Sequence, residues 1–246
     1  MSSAAELLFE LANSDRLAML AEIGREPLKL SQVARKLSAT VQETSRHLER
    51  LSRAKLIEKD STSSYRITSF GKLILSLLPS FQFLQEQREF FLSHDLSSLP
   101  QGFAERIGEL SEHQTMKRLD DALANTERII SEAEQYVWIM ADQNVRQSYP
   151  HEHPEQVTRK LLLPKGTDLQ TFQRMRSEAG SELQIGFVDK VKVTIVMNEK
   201  MAAVCFLGLD ARMDFTQGFA GKTAKFHAWC RDLYNSYWDR SAKKNW

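Results

Sequence analysis

The sequence predicts an α/β chain, α+β overall, built in two parts. A small helical front part carries one β-hairpin, and a larger rear part alternates helices with buried strands around a mixed sheet. Three observations carry this reading. Apolar residues fall at helical spacing up to Leu51, then in short strand-like runs, and after Gln101 the two patterns take turns. Between Leu28 and Lys72 ten Lys/Arg meet four acids, a local +6, which leaves −5 elsewhere in a chain of net charge +1. A length of 246 residues, with 42% apolar and 26% charged side chains, suffices for two ordinary cores and does not describe a disordered tail.

Asn13-Ser14-Asp15 supplies N-cap chemistry for a helix whose Leu17, Leu20, Ala21 and Ile23 form a stripe ending at Gly24. Pro27 marks a break, and Ser31 is expected to cap the next helix, with Val33, Ala34 and Leu37 apolar. A linker, Ser38-Ala39-Thr40, leads to a helix whose inward stripe is expected at Val41, Ser45, Leu48 and Leu51. Two short helices, a tight turn and a small residue at the crossing predict a helix-turn-helix. A strand (Leu56–Lys59), a polar tip (Asp60–Ser64) and a returning strand (Tyr65–Thr68) follow, then helical spacing in "SFGKLILSLL". Together these make a winged helix-turn-helix.

The run "TSRHLERLSRAKLIEKDSTSSYRITSFGK" resembles the winged helix-turn-helix of ArsR-type and related archaeal regulators. The shared features are Ser-Arg-His-Leu in the second helix, "L…AKLI" leading into the wing and "Y-x-I-T-x-x-G" leaving it. Lys55 stands where such domains often place glycine. The resemblance implies a DNA-binding transcription regulator, and without a Cys cluster here it implies no metal sensing. With the helix from Val41 in a major groove, Gln42, Thr44, Arg46 and His47 are expected at base edges and phosphates. Thr40, Arg50 and Arg53 are expected on phosphates, and Lys59 and Arg66 set the wing against the backbone. Glu43 either accepts from cytosine or serves as a favourable charge at the helix start. The alternative for this whole face is a solvated amphipathic surface.

The organisation expected is 1–79 for the winged helix, 80–117 for a helical linker or dimerisation segment, and 118–246 for an effector domain. Phe81, Leu84, Arg88 and Phe91 share one helical side, widened by Phe83, Phe90 and Leu92, which suits a dimer seam or a core helix equally. A homodimer would read two half-sites. Helix "RLDDALANTERIISEA" precedes strands "QYVWIMADQ" and "TRKLLLP"; a helix "DLQTFQRMRSEAG" precedes "ELQIGFV", "KVTIVM" and "MAAVCFL", with a hairpin tip at Asn198-Glu199-Lys200. In the closing helix Phe226, Trp229, Cys230, Leu233 and Tyr237 read as core rather than a ligand cage.

The run "VTIVMNEKMAAVCFLGLDARMDFTQGFAGKTAKFHAWCRDLYNSYW", with Asp214-Phe215 near Gly218 and a terminal Trp-Cys-x-x-Leu-Tyr-x-x-Tyr-Trp, carries a resemblance over most of Arg118 to Lys243 to the effector domain of archaeal methanogenesis-type regulators, itself similar to the sensor domain of TrmB-like sugar regulators. That resemblance implies a phospholipase D-like fold. The His-x-Lys-x4-Asp motif of that fold's chemistry is absent, as are Gly-x-Ser-x-Gly and any phosphate-cradling glycine loop. "HEH" (His151–His153) reads as a Pro-flanked surface loop and "PKGTD" (Pro164–Asp168) as turn chemistry. No catalytic residue, metal or cofactor is therefore expected. The partners expected are double-stranded DNA and a small-molecule effector, with Asp142, Gln143, Asn144 and Lys165 nominated because crevices in α/β sheets open at strand ends. Cys205 and Cys230 read as buried reduced thiols. The N-terminus does not read as a signal peptide, and the apolar runs are too short to span a bilayer, so a cytoplasmic, membrane-free protein is expected. An enzyme or a protein-interaction module with an accessory winged helix is the alternative.

Overall fold

A computed structural model describes residues 4–97, 99–142, 157–167 and 183–243. The chain divides into two compact units, Met1–Phe81 and Gln82–Trp246.

The first unit holds α1 (Ala4–Leu11), α2 (Ser14–Arg25), β1 (Leu28–Lys29), α3 (Leu30–Lys36), α4 (Val41–Arg53), β2 (Ile57–Lys59), β3 (Ser64–Ile67) and the start of α5 (Ser69–Glu86). Its core gathers Met19, Leu20 and Ile23 of α2, Val33 of α3, Leu48 and Leu51 of α4, and Leu56 and Ile57 at the start of the wing. Asn13 caps α2 as its position predicts, its side chain accepting from the Arg16 backbone N–H at 2.9 Å. Ser31 does not cap α3: Lys29 holds that place and the Gln32 side chain accepts from its N–H at 2.7 Å, because β1 runs straight into the helix. The wing is three-stranded, in the order β1-β3-β2, with Leu28 opposite Tyr65. Gln82–Trp246 contains the rest: α6 (Arg88–Ser93), β4 (His94–Asp95), α7 (Gln101–Glu105), β5 (Gln114–Met116), α8 (Leu119–Ser131), β6 (Tyr136–Met140), β7 (Thr158–Pro164), β8 (Leu183–Val188), β9 (Val193–Met197), β10 (Ala202–Gly208), β11 (Gly218–Gly221), α9 (Ala224–Trp238) and β12 (Ala242–Lys243).

The rear sheet is mixed, in the order β12-β8-β7-β6-β9-β10-β11-β5, with β4 pairing beside β10. β6, β7 and β8 run parallel, and the remaining pairs are antiparallel. β6 to β10 are the five strands the alternation predicts. The tip at Asn198-Glu199-Lys200 is pinned: Asn198, fully buried, accepts from the Lys200 and Met201 N–H groups at 2.8 Å and donates to Ile129 O at 2.7 Å. Residues 82–117, expected as a linker or dimerisation segment, fall in this unit and supply Phe83, Phe90, Leu99, Ile107 and Leu110 to its core. Phe83 and Phe90 meet Phe219 of β11 with ring centroids 5.4 and 4.6 Å apart. Phe226, Trp229, Cys230 and Leu233 of α9 are fully buried over the sheet, as a core stripe should be. Gln143, Asn144, the "HEH" loop and the "DLQTFQRMRSEAG" helix lie outside the described residues.

Candidate nucleic-acid interface

Helix α4 begins with a reciprocal capping box. The Thr40 hydroxyl accepts from the Glu43 N–H at 3.2 Å and donates to the Glu43 carboxylate at 2.7 Å, while the Thr40 N–H reaches the same carboxylate at 3.4 Å. The Thr40 hydroxyl also holds the Glu43 carboxyl below the usual range. Of the two roles open to Glu43, the helix-start role is the one its side chain occupies.

The inward face of α4 differs from the expected one. Thr44, expected at bases, is fully buried, with its hydroxyl donating to Thr40 O at 2.8 Å. It takes the inward place predicted for Ser45, and together with Leu48 and Leu51 it makes a one-sided stripe spaced by four and three residues. A hydroxyl bonded back to the carbonyl four residues earlier leaves no unpaired polar group when buried, at only a slight cost to the helix. Ser45 and Val41 are exposed instead.

Opposite that stripe lie Gln42, Arg46, Glu49 and Arg53, all exposed. Gln42 and Arg46, one turn apart, make no hydrogen bond or ion pair with any described residue. His47 is half-buried, and its Nδ1 is enclosed without a hydrogen-bond partner among the described residues. The other candidate cations are engaged. Arg53 pairs with Glu49 at 2.5 Å, and Arg66 with Glu58 across the wing at 2.9 Å. The Lys59 ammonium lies 5.8 Å from the Tyr65 ring centroid.

Arg50 is committed more strongly. Its Nε and Nη2 donate to the two Glu10 oxygens at 2.9 and 2.6 Å, and its guanidinium carbon stands 5.2 Å from the Phe9 ring centroid. The Arg50 hydrogen bond in turn lowers the Glu10 pKa. Buried Arg16 donates to Phe9 O and Glu10 O at 2.7 and 2.6 Å, closing the last carbonyls of α1. Sequence reasoning missed α1 and this tie, whose only signal was the unassigned apolar stretch Leu7–Leu11.

Both ends of the turn system use left-handed residues that are not glycine. Lys55 has φ 60°, with its N–H on Ser52 O at 3.0 Å and the Leu56 N–H on Leu51 O at 3.0 Å. Ser38 has φ 53° and repeats the pattern at the end of α3, through Arg35 O at 3.3 Å and Ala34 O at 3.0 Å. These are Schellman turns. Lys55 therefore adopts the conformation that makes glycine common at its place. Immediately after the wing, the Thr68 hydroxyl donates to Lys55 O at 2.7 Å and accepts from the Gly71 N–H at 3.0 Å. A Cβ on Gly71 would stand 2.1 Å from Leu56 O, so only glycine permits this approach. The wing tip is held by Asp60, whose Oδ1 accepts from the Thr62 and Ser64 N–H groups at 2.8 and 3.0 Å.

In the rear unit, Asp142 and Lys165 stand just past the carboxyl ends of neighbouring parallel strands β6 and β7. The Lys165 ammonium lies 2.6 Å from the Asp189 carboxylate. Both cysteines are free and buried; burial, with the Asp214 charge adding to it, pushes the Cys205 thiol up to about 12, and burial raises Cys230 as well. Among the described residues no three His, Cys, Asp or Glu side chains converge as metal ligands, and no helix is long and apolar enough to cross a membrane.

Residues 11–60 match a family described as a helix-turn-helix domain. Among curated proteins, none matches the chain. Among solved structures, the chain is similar to TrmBL2, an archaeal chromatin protein, at 15% identity and TM-score 0.42, covering 94% of each chain. It is also similar to an IclR homolog from Microbacterium sp. strain HM58-2, at 11% identity and TM-score 0.27, covering 96% of this chain and 99% of that one. A third similarity is to the S-adenosylmethionine-dependent methyltransferase SibL, at 13% identity and TM-score 0.28, covering 76% and 62%.

Proposed function

We propose that this chain, whose residues 11–60 form a helix-turn-helix domain, is a DNA-binding transcription regulator that reads a specific duplex sequence as a homodimer. One observation carries the reading. On the outward face of the N-terminal half of α4, Gln42 and Arg46 are exposed, uncommitted and one turn apart, in a segment of local charge +6. Arginine and glutamine make paired hydrogen bonds to guanine and adenine edges, and a side chain held by no intramolecular partner reaches a base without first breaking one. Thr40, Arg53, Lys59 and Arg66 then meet phosphates around them; Glu49 and Glu58, the partners of Arg53 and Arg66, are exposed and give way readily to a polyanion.

Pairing of two copies is supported by α5. Phe70, Leu73, Leu77 and Phe81 are 43%, 60%, 49% and 60% exposed, at spacings of three, four and four. That spacing lays them in one narrow stripe along the helix, the pattern of a helix–helix seam. For the rear unit we assign sensing of a small molecule, supported by Asp142 and Lys165 at the ends of parallel strands. No catalytic step is assigned, and the protein acts in the cytoplasm.

The test is a binding titration of genomic fragments against random duplex over a range of salt. The logarithm of affinity should fall linearly with the logarithm of salt, since phosphate contacts release counterions. Arg46→Ala should lose about 1–3 kcal/mol on the preferred fragment and blur its preference. Equal affinity of parent and variant removes Arg46 as a base reader, and a parent protein indifferent to sequence overturns the function.

A further inference from the structure

The face of the rear sheet under α9 holds a cation among aromatic rings. Lys160 of β7 lies directly beside Trp138 of β6 in the parallel ladder. Its Nζ stands 4.6 Å from the Trp138 ring centroid and 5.2 Å from that of Trp238 at the end of α9. Lys160 makes no hydrogen bond or ion pair with any described residue. The rings form a continuous arc: Tyr136 to Trp138 is 4.7 Å between centroids, Trp138 to Tyr234 5.2 Å, and Tyr234 to Trp238 6.0 Å. Tyr234 is fully buried, and its hydroxyl has no hydrogen-bond partner among the described residues. Tyr136, Trp138 and Lys160 are half-buried, so the arc reaches solvent on one side.

We propose that this arc is a binding site for an organic cation of the methylated or quaternary ammonium class, with Lys160 as its built-in occupant. Its role as the sensed ligand rests on the effector-sensing reading above; the site itself does not. Aromatic faces attract any cation, and indole most strongly. A lysine ammonium suits this place poorly, because its three N–H donors want acceptors that two ring faces do not supply. On a half-buried, flexible stem it has a path to water. A quaternary ammonium carries no N–H group and gives up little hydration, so it exchanges favourably with the lysine head.

The test uses the full-length protein and its indole fluorescence, titrated with choline chloride against sodium chloride at equal ionic strength. A parallel titration uses choline's neutral isostere, in which carbon replaces nitrogen. The expected result is a saturable change with choline alone. Lys160→Ala, which removes the occupant, should tighten binding about tenfold. Trp138→Phe keeps a ring in place, as far-UV circular dichroism should show, and should weaken binding several-fold. The proposal is overturned if the parent protein gives no saturable change, if the neutral isostere binds equally well, or if Lys160→Ala binds no tighter. DNA binding of the same preparation is measured without choline. DNA binding without a choline response sinks the cage alone; a choline response without DNA binding keeps the cage and sinks the regulator.

Discussion

Replacing Lys55 by glycine tests how the end of α4 is held. Lys55 sits at φ 60°, where its Cβ crowds the following carbonyl. For a side-chain-bearing residue that conformation costs about 1–2 kcal/mol. Glycine removes the crowding but gives the unfolded chain more freedom, at a cost of about 0.5–1 kcal/mol. The Schellman bonds use backbone atoms only, so they survive the change. The difference is a net stabilisation of about 0.5–1 kcal/mol, which slows exchange of protected amides about two- to fivefold. Hydrogen exchange of the Leu48 and Leu51 amides is the suitable assay, because both residues are fully buried in α4 and every tryptophan lies in the rear unit. Lys55→Ala is the control. It deletes the same charge but retains a Cβ, so it should show no such protection. Equal gains in the two variants would mean that lost charge, not backbone relief, is responsible, and the argument would fail.

Two other perturbations probe the same unit. Gly71→Ala places a methyl 2.1 Å from Leu56 O and 2.8 Å from Ile67 Cγ1. Overpacking against a backbone oxygen lies in the upper part of its usual range, about 2–3 kcal/mol, and an offset of about 1 kcal/mol of helix propensity leaves a net loss near 1–2 kcal/mol in urea denaturation; an unchanged midpoint would contradict the close approach. The Glu10 pKa is lowered in the folded chain, chiefly by the Arg50 hydrogen bond. Its stabilising share is therefore present above the unfolded glutamate value and is lost as pH falls through the folded one. Exchange protection in α1 should decline from about pH 4.5 downward, and Glu10→Gln should flatten that decline; an identical acid profile in both proteins would dismiss the pair as its origin.

Long, repetitive signals made much of this fold legible. β6 to β10 are apolar runs bounded by turn residues, and the Asn198 tip announces its hairpin. β1, β4 and β12 are only two residues long, too short for any period to register. β11 reads Gly-Phe-Ala-Gly, which looks like a loop, yet Gly218 and Gly221 are where a Cβ would strike Val204 O and the Phe226 ring. On α4 the error was in phase. Val41 and Ser45 share a helical side with Leu48, and hydrophobicity favours Val41, but tertiary packing buries Thr44 with Leu48 and Leu51, and the internal hydrogen bond of its hydroxyl makes that burial tolerable. Arg50 could not be assigned from sequence, since its partner Glu10 lies forty residues away. Gln143 and Asn144 lie outside the described residues, while Asp142 and Lys165 stand at the strand ends where topology rules direct attention.

The Thr68 hydroxyl touches the carbonyl after the end of α4 and the first turn of α5, while its N–H holds Leu56 O beside Gly71. The end of α4, the wing base and α5 thus meet in one small knot without a hinge. A head built this way has little compliance of its own. Under the proposed function, a head of this kind leaves the duplex to take up the strain of an imperfect fit, which gives sites rich in easily kinked pyrimidine–purine steps an advantage at positions no side chain touches.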